Sequence, residues 1–186
     1  MSQLRAEHSR KLAAYLLLFI LVPIPLSSLF LPDAVESATI EVCFTPGDDC
    51  TGRIVRAINT AQSAILIQAY SFTSAPIAKA LVTAHKRGVR VEVILDKSQR
   101  KEKYTSADFI AHAGIPTFID SEHAIAHNKI LILDATKVIT GSFNFSKAAQ
   151  QKNAENLLVI QDAALAKEYM ENWRLHRSHS ERYRGK

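Results

Sequence analysis

Residues 127–155 read HNKILILDATKVITGSFNFSKAAQQKNAE, and this stretch decides the fold around it. Two apolar runs, Ile130–Leu133 and Val138–Thr140, flank a short turn at Asp134–Lys137. Such a pattern predicts a strand, a turn and a second strand, with polar residues at the ends. His127 and Lys129 lie two apart in an extended segment, so their side chains share a face. Ser142 and Asn144 repeat that spacing after the second strand. Pairing the two runs as a hairpin would bring His127, Lys129, Ser142 and Asn144 to one end of it. A nucleophile or base, a fixed cation, a hydroxyl and an amide in one small volume suit an anionic, tetrahedral substrate such as a phosphodiester.

The arrangement His127-x-Lys129-x4-Asp134-x6-Gly141-Ser142-x-Asn144 resembles the HKD signature of the phospholipase D superfamily. Glu155 follows where that family carries a glutamate that holds the catalytic histidine. The segment Ala69-Tyr70-Ser71-Phe72-Thr73-Ser74 and the helix after it resemble the short, single-motif bacterial non-specific endonucleases of the family. The resemblance spans residues 39–175. It implies a phospholipase D-like α/β fold, a mixed, largely parallel sheet with helices on both faces.

The resemblance implies a role for each residue. His127 would attack phosphorus as a neutral imidazole and form a phosphohistidine. Glu155 would accept from the other ring nitrogen and fix its tautomer. Lys129 and Asn144 would hold the non-bridging oxygens, with Ser142 donating a further hydrogen bond. Asp134, five residues past Lys129 at the turn, reads as structural, as does Gly141. One histidine does not serve both faces of the phosphorus, and the full-length members carry two motifs. A chain with one motif implies a two-fold homodimer with His127 of each subunit at a shared site. One His127 would attack and the other, protonated, would act as general acid. No cofactor and no metal ion are expected: the sequence shows no carboxylate cluster suited to Mg²⁺ and no zinc-binding HExxH set.

Around this core, the 186 residues are 47% hydrophobic, enough for one domain. The formal net charge is +5 and the isoelectric point about 9.3, which favours polyanionic partners. No recognition helix or aromatic stacking motif appears, so nucleic acid would be gripped by its backbone and not read by base. Residues 1–37 join a polar start bearing Arg5, Arg10 and Lys11 to the apolar run Leu12–Val22. This is the layout of a secretory signal peptide, with a retained membrane anchor as the alternative. The nuclease domain would then be residues 38–186, exported to the periplasm or beyond. Retention of the anchor would raise the alternative substrate class, cardiolipin-type phospholipid. A non-enzymatic binder with a vestigial site is the third class, and the intact motif argues against it.

The remaining elements alternate. Thr39–Phe44, Ala64–Tyr70 and Val89–Leu95 read as strands, with helices over Gly52–Gln62 and Ala75–Lys86, the second capped by Ser74. Cys43 and Cys50 flank a Pro-Gly turn, which suits a local disulfide in an oxidising compartment, or two unrelated thiols. Lys97, Arg100, Lys101 and Lys103 follow the third strand and read as phosphate-backbone contacts or as a solvated loop. A short helix over Ser106–Ala113, a strand over Ile115–Ile119 and a last strand over Glu155–Ile160 complete the pattern. Ala163–His176 reads as an amphipathic helix packing Leu165, Tyr169 and Trp173. The basic tail Arg174–Lys186 reads as a frayed end. His123 is a lesser candidate near the site, and His85 a surface residue.

Overall fold

The computed structural model describes residues 37–186. The expected N-terminal signal or anchor lies outside the described residues. No helix among them is long and apolar enough to cross a membrane.

Eight strands form one mixed sheet in the order β1-β7-β6-β5-β2-β3-β4-β8. They are β1 (Thr39–Thr45), β2 (Ala64–Ala69), β3 (Arg90–Asp96), β4 (Thr117–Asp120), β5 (Lys129–Leu133), β6 (Lys137–Gly141), β7 (Glu155–Gln161) and β8 (Glu181–Tyr183). Five helices intervene: α1 (Cys50–Thr60), α2 (Ala75–Lys86), α3 (Ala107–His112), α4 (Lys147–Gln151) and α5 (Ala163–His179). A mixed sheet with helices on both faces matches the expectation. The parallel share is smaller than expected. Only β2–β3 and β3–β4 pair in parallel, while the β5–β6 hairpin, β7 and β8 add antiparallel neighbours. β1 runs parallel to β2, yet it pairs with β7 at the far edge. The hairpin inserts between them because a short turn permits only antiparallel pairing.

Both faces of the central strands are buried, which explains the continuous apolar runs of β2, β3 and β5. On one face Ile54 and Ile58 of α1 and Ile77 and Leu81 of α2 pack against Ile65, Ile67 and Val93. On the other, Ala166 and Trp173 of α5 pack against Leu66, Ile94, Ile132 and Val138. The Trp173 indole donates to the Ile67 carbonyl at 2.9 Å, so its polar edge is satisfied within the core. Asp49 caps α1 by accepting from the Gly52 amide at 2.8 Å. Ser74 stands at the start of α2 but makes no capping bond through its side chain, unlike the expectation. Cys43 and Cys50 are bonded and wholly buried, tying β1 to the first turn of α1.

The C-terminal tail is not frayed. α5 continues to His179, and β8 then pairs antiparallel with β4. Tyr183 is buried and its hydroxyl donates to Asp108. The strand is only Glu181-Arg182-Tyr183, and three residues are too few for an alternation to register against a basic background.

The hairpin turn takes its shape from Asp134 and Ala135, at φ 52° and 56°. The Asp134 carboxylate accepts from the amides of Gln62, Ser63 and Ala64 at 2.7–3.0 Å, and from the Ser63 hydroxyl. It therefore ties the hairpin to the start of β2 rather than capping its own turn. Burial pushes its pKa up, but the amide donors outweigh this and hold it below the ordinary value.

Candidate active site

β1, β2, β3, β4 and β6 run in one direction, so their carboxyl ends lie along one rim of the sheet. Open α/β sheets bind ligands at such rims. The signature residues other than Asp134 gather there. Lys129 opens β5 and pairs with Ala69, the last residue of β2. The Tyr70 amide donates to the Asn128 carbonyl at 2.8 Å, which extends the pairing toward His127. A bridge between Phe72 and Phe145 lays the Ser142–Phe145 loop beside the end of β2.

His127 is exposed, and its ring leans on that of Tyr70 with centroids 4.5 Å apart. Lys129 is buried except for 8% of its surface. Its ammonium donates to the His127 carbonyl at 2.8 Å and lies 5.1 Å from the Tyr70 ring centre. Burial pulls its pKa below the ordinary lysine value, while the nearby Glu155 carboxylate works in the opposite sense. Tyr70 thus carries both the candidate nucleophile and the cation beside it. It lay in the quoted upstream segment without an assigned role, and its place at the end of a buried strand was the available signal.

Gly141 allows the chain to turn at the end of β6. Its φ is 145°, and a Cβ there would meet the Asn156 carbonyl oxygen at 2.4 Å. That carbonyl accepts from the amides of Ser142 and Phe143. The Ser142 hydroxyl donates to Glu155 Oε2 at 2.6 Å and accepts from the Asn156 amide at 3.0 Å. Asn153 donates to Glu155 Oε1 at 2.9 Å. Both oxygens of Glu155 are therefore engaged, and among the described residues no hydrogen bond joins it to His127. The expected His127–Glu155 contact is absent within one chain because β6 separates β5 from β7, which sets those strands about 9–10 Å apart. Glu155 instead orients Ser142 and shares a field with Lys129. Asn144 keeps a buried Oδ1 with no partner among the described residues. An unsatisfied buried amide costs about 1–3 kcal/mol, and a half-turn would offer its NH₂ to a phosphate oxygen.

Beside Tyr70 opens a groove of about 500 Å³ lined by Asp96, Lys97, Arg100, Lys101 and Ile125. Of the expected phosphate contacts, Lys97 donates to the His123 carbonyl at 2.9 Å and Arg100 pairs with Glu181. Lys103 stands 5.4 Å from the Tyr104 ring centre, and Lys101 is exposed. Asp96 is buried and accepts from the amides of Ser98 and Ala126 at 2.8 Å each. It anchors the residue just before His127, a role invisible in sequence because the two are thirty residues apart. Asp134 lies at the other end of β5, about 16 Å from Lys129 along the strand.

Residues 54–175 match the model of the cardiolipin synthase, PLD-like domain family. The chain belongs to the phospholipase D superfamily. It is 45% identical over 139 residues to a phospholipase D of Rickettsia conorii, covering 75% of this chain and 70% of that one. It is 29% identical over 126 residues to a mitochondrial cardiolipin hydrolase of Xenopus tropicalis, covering 68% and 60%. Among solved structures it is similar to Nuc from Salmonella typhimurium, a phospholipase D family member, with 38% identity and a TM-score of 0.77. That match covers 80% of this chain and all of the other. NucT from Helicobacter pylori shares the fold, with a TM-score of 0.71 at 21% identity. This phospholipase D-like chain is therefore a phosphodiester hydrolase.

Proposed function

We propose that the chain is an exported, metal-independent, non-specific endonuclease that cleaves DNA through a phosphohistidine on His127, at a site shared by two subunits. The observation that carries this reading is the pairing of an exposed His127 with a fixed Lys129 on Tyr70, at the end of a basic groove. The resemblance to single-motif bacterial endonucleases and the net charge of +5 favour nucleic acid. Backbone contacts alone admit RNA as well. The apolar N-terminal run and the buried disulfide favour an oxidising, exported setting.

In the first step, a ring nitrogen of His127 attacks phosphorus while the bond to the leaving oxygen breaks. That oxygen takes a proton from the imidazolium of the partner subunit's His127. In the second step the same imidazole, now neutral, accepts a proton from water. The resulting hydroxide attacks phosphorus and the P–N bond breaks. Lys129 and Asn144 would donate to the oxygens on which charge develops, while Glu155 takes the Ser142 proton and so fixes that side chain as a neighbour and not as a donor to phosphate. Lys129 from both subunits would supply the positive charge that a metal ion supplies elsewhere.

The lipid reading has its own support: the matched family model and several relatives carry cardiolipin in their names. The two substrates are separated by giving the full chain, in excess EDTA, supercoiled plasmid and cardiolipin vesicles side by side. Plasmid should be nicked and degraded while the vesicles stay intact. Hydrolysis of cardiolipin with untouched plasmid would replace the nuclease by a lipase. DNA bound but not cut would mark a vestigial binder. Loss of cutting that Mg²⁺ restores would end the metal-free mechanism.

A further inference from the structure

A second cluster of reactive side chains lies outside the catalytic set. Asp120 ends β4, His123 lies in the loop after it, and His176 and His179 occupy the last turn of α5. One ligating atom from each lies within 4.8 Å of all the others. Asp120 Oδ2 stands 2.8 Å from His176 Nδ1, 3.3 Å from His179 Nε2 and 3.4 Å from His123 Nδ1. The Asp120 carboxylate is wholly buried, and the side chains of His176 and His179 are 12% and 25% exposed.

We propose that Asp120, His123, His176 and His179 bind one zinc ion, and that this ion braces the loop leading to His127. Three imidazoles and a carboxylate are a donor set that zinc takes readily. Tetrahedral zinc with bonds of about 2.0–2.2 Å needs ligand atoms about 3.3 Å apart. The three contacts to Asp120 bracket that length. His123, the most exposed of the four, is free to swing inward to close the longest gaps.

The framework is already built. His176 and His179 are three apart on a helix and so share a face. Asp120 Oδ1 accepts from the Glu122 amide at 3.1 Å, and Lys97 holds the His123 carbonyl. Trp173, one turn before His176, is locked in the core by its bond to Ile67. The ion would join α5 and β4 to the loop of residues 121–126. Asp96 fixes the other end of that loop at Ala126. None of the four residues belongs to the phosphodiesterase machinery, so the ion's place is structural and not catalytic. The set escapes a sequence reading because its halves are separated by more than fifty residues.

The test uses the untagged full chain, stripped by chelator and dialysed. ZnCl₂ titrated calorimetrically should bind one ion per chain, and free zinc at a hundredfold over Kd should raise the melting temperature by roughly 5–10 °C. CoCl₂ should give the visible absorption bands of a tetrahedral site. The pair His176→Ala with His179→Gln should abolish both signals. Hydrolysis of bis(p-nitrophenyl) phosphate, read in parallel, keeps this inference separate from the nuclease reading. A protein that binds zinc but cleaves nothing supports the ion alone. Failure of the wild-type chain to bind zinc stoichiometrically would overturn the proposal and leave an ion-pair cluster only. Undiminished binding by the double variant would overturn it too, by placing the ion elsewhere.

Discussion

At Asp134 a single carboxylate takes hydrogen bonds from three backbone amides and one hydroxyl at the start of β2. Its replacement by alanine hands the exposed Gln62 and Ser63 donors to water and loses the tie to the part-buried Ala64 amide, at a cost of about 1–2 kcal/mol. The sign of the pH dependence follows from its lowered pKa. Its stabilisation is fully present above the unfolded carboxyl value near 3.9 and fades as pH falls through the folded one. Urea unfolding of Asp134→Ala at neutral pH should show the full loss, and the gap to wild type should close toward pH 3. A gap that is absent, or equal at both pH values, would contradict the role. Sequence placed this residue at the hairpin turn, and it stands there between β5 and β6. The partners were not legible, since they lie some seventy residues upstream. Glu155 shows the opposite case. Its position in the signature was plain, but its partner in the folded chain is Ser142, because strand order and not spacing sets which side chains meet.

Among the elements, β1 carries the clearest unfinished surface. Cys43 and Thr45 face the core, while Ile40, Val42 and Phe44 are 57%, 42% and 60% exposed. α5 covers β6, β5, β2 and β4 on that face and stops short of β1. Phe44 pairs with Asn156, which donates to the Ser142 hydroxyl, so the apolar row ends at the candidate site. A second copy of the chain, as in the proposed shared site, would both cover this row and bring its own His127 close. Val42→Glu combined with Phe44→Glu should therefore turn a sedimenting dimer into a monomer. Hydrolysis should fall at least about a hundredfold with the loss of the general acid. A variant that stays dimeric and active would remove β1 from the interface. The strand itself is legible in the alternation of Ile40, Val42 and Phe44. Which alternate faced inward was not, because a disulfide and a helix on one side outweigh three apolar side chains on the other.

For the whole molecule, the proposed reaction centre takes one motif from each of two chains. The hairpin, the buried central strands and the flanking helices could be read from periodicity, since each is a local pattern. The order of the strands, the terminal β8 and the cluster at Asp120 could not, since each joins segments remote in the chain. The claim that binds these levels is that two His127 side chains serve one phosphorus. It is tested most directly by unfolding and refolding wild-type chains with an about ninefold excess of His127→Ala chains, then measuring hydrolysis of bis(p-nitrophenyl) phosphate. Random pairing leaves most wild-type chains beside an inactive partner, so activity per wild-type chain should drop about tenfold. Activity per wild-type chain that stays constant across the mixture would mean that each His127 works alone, and the shared site would be wrong.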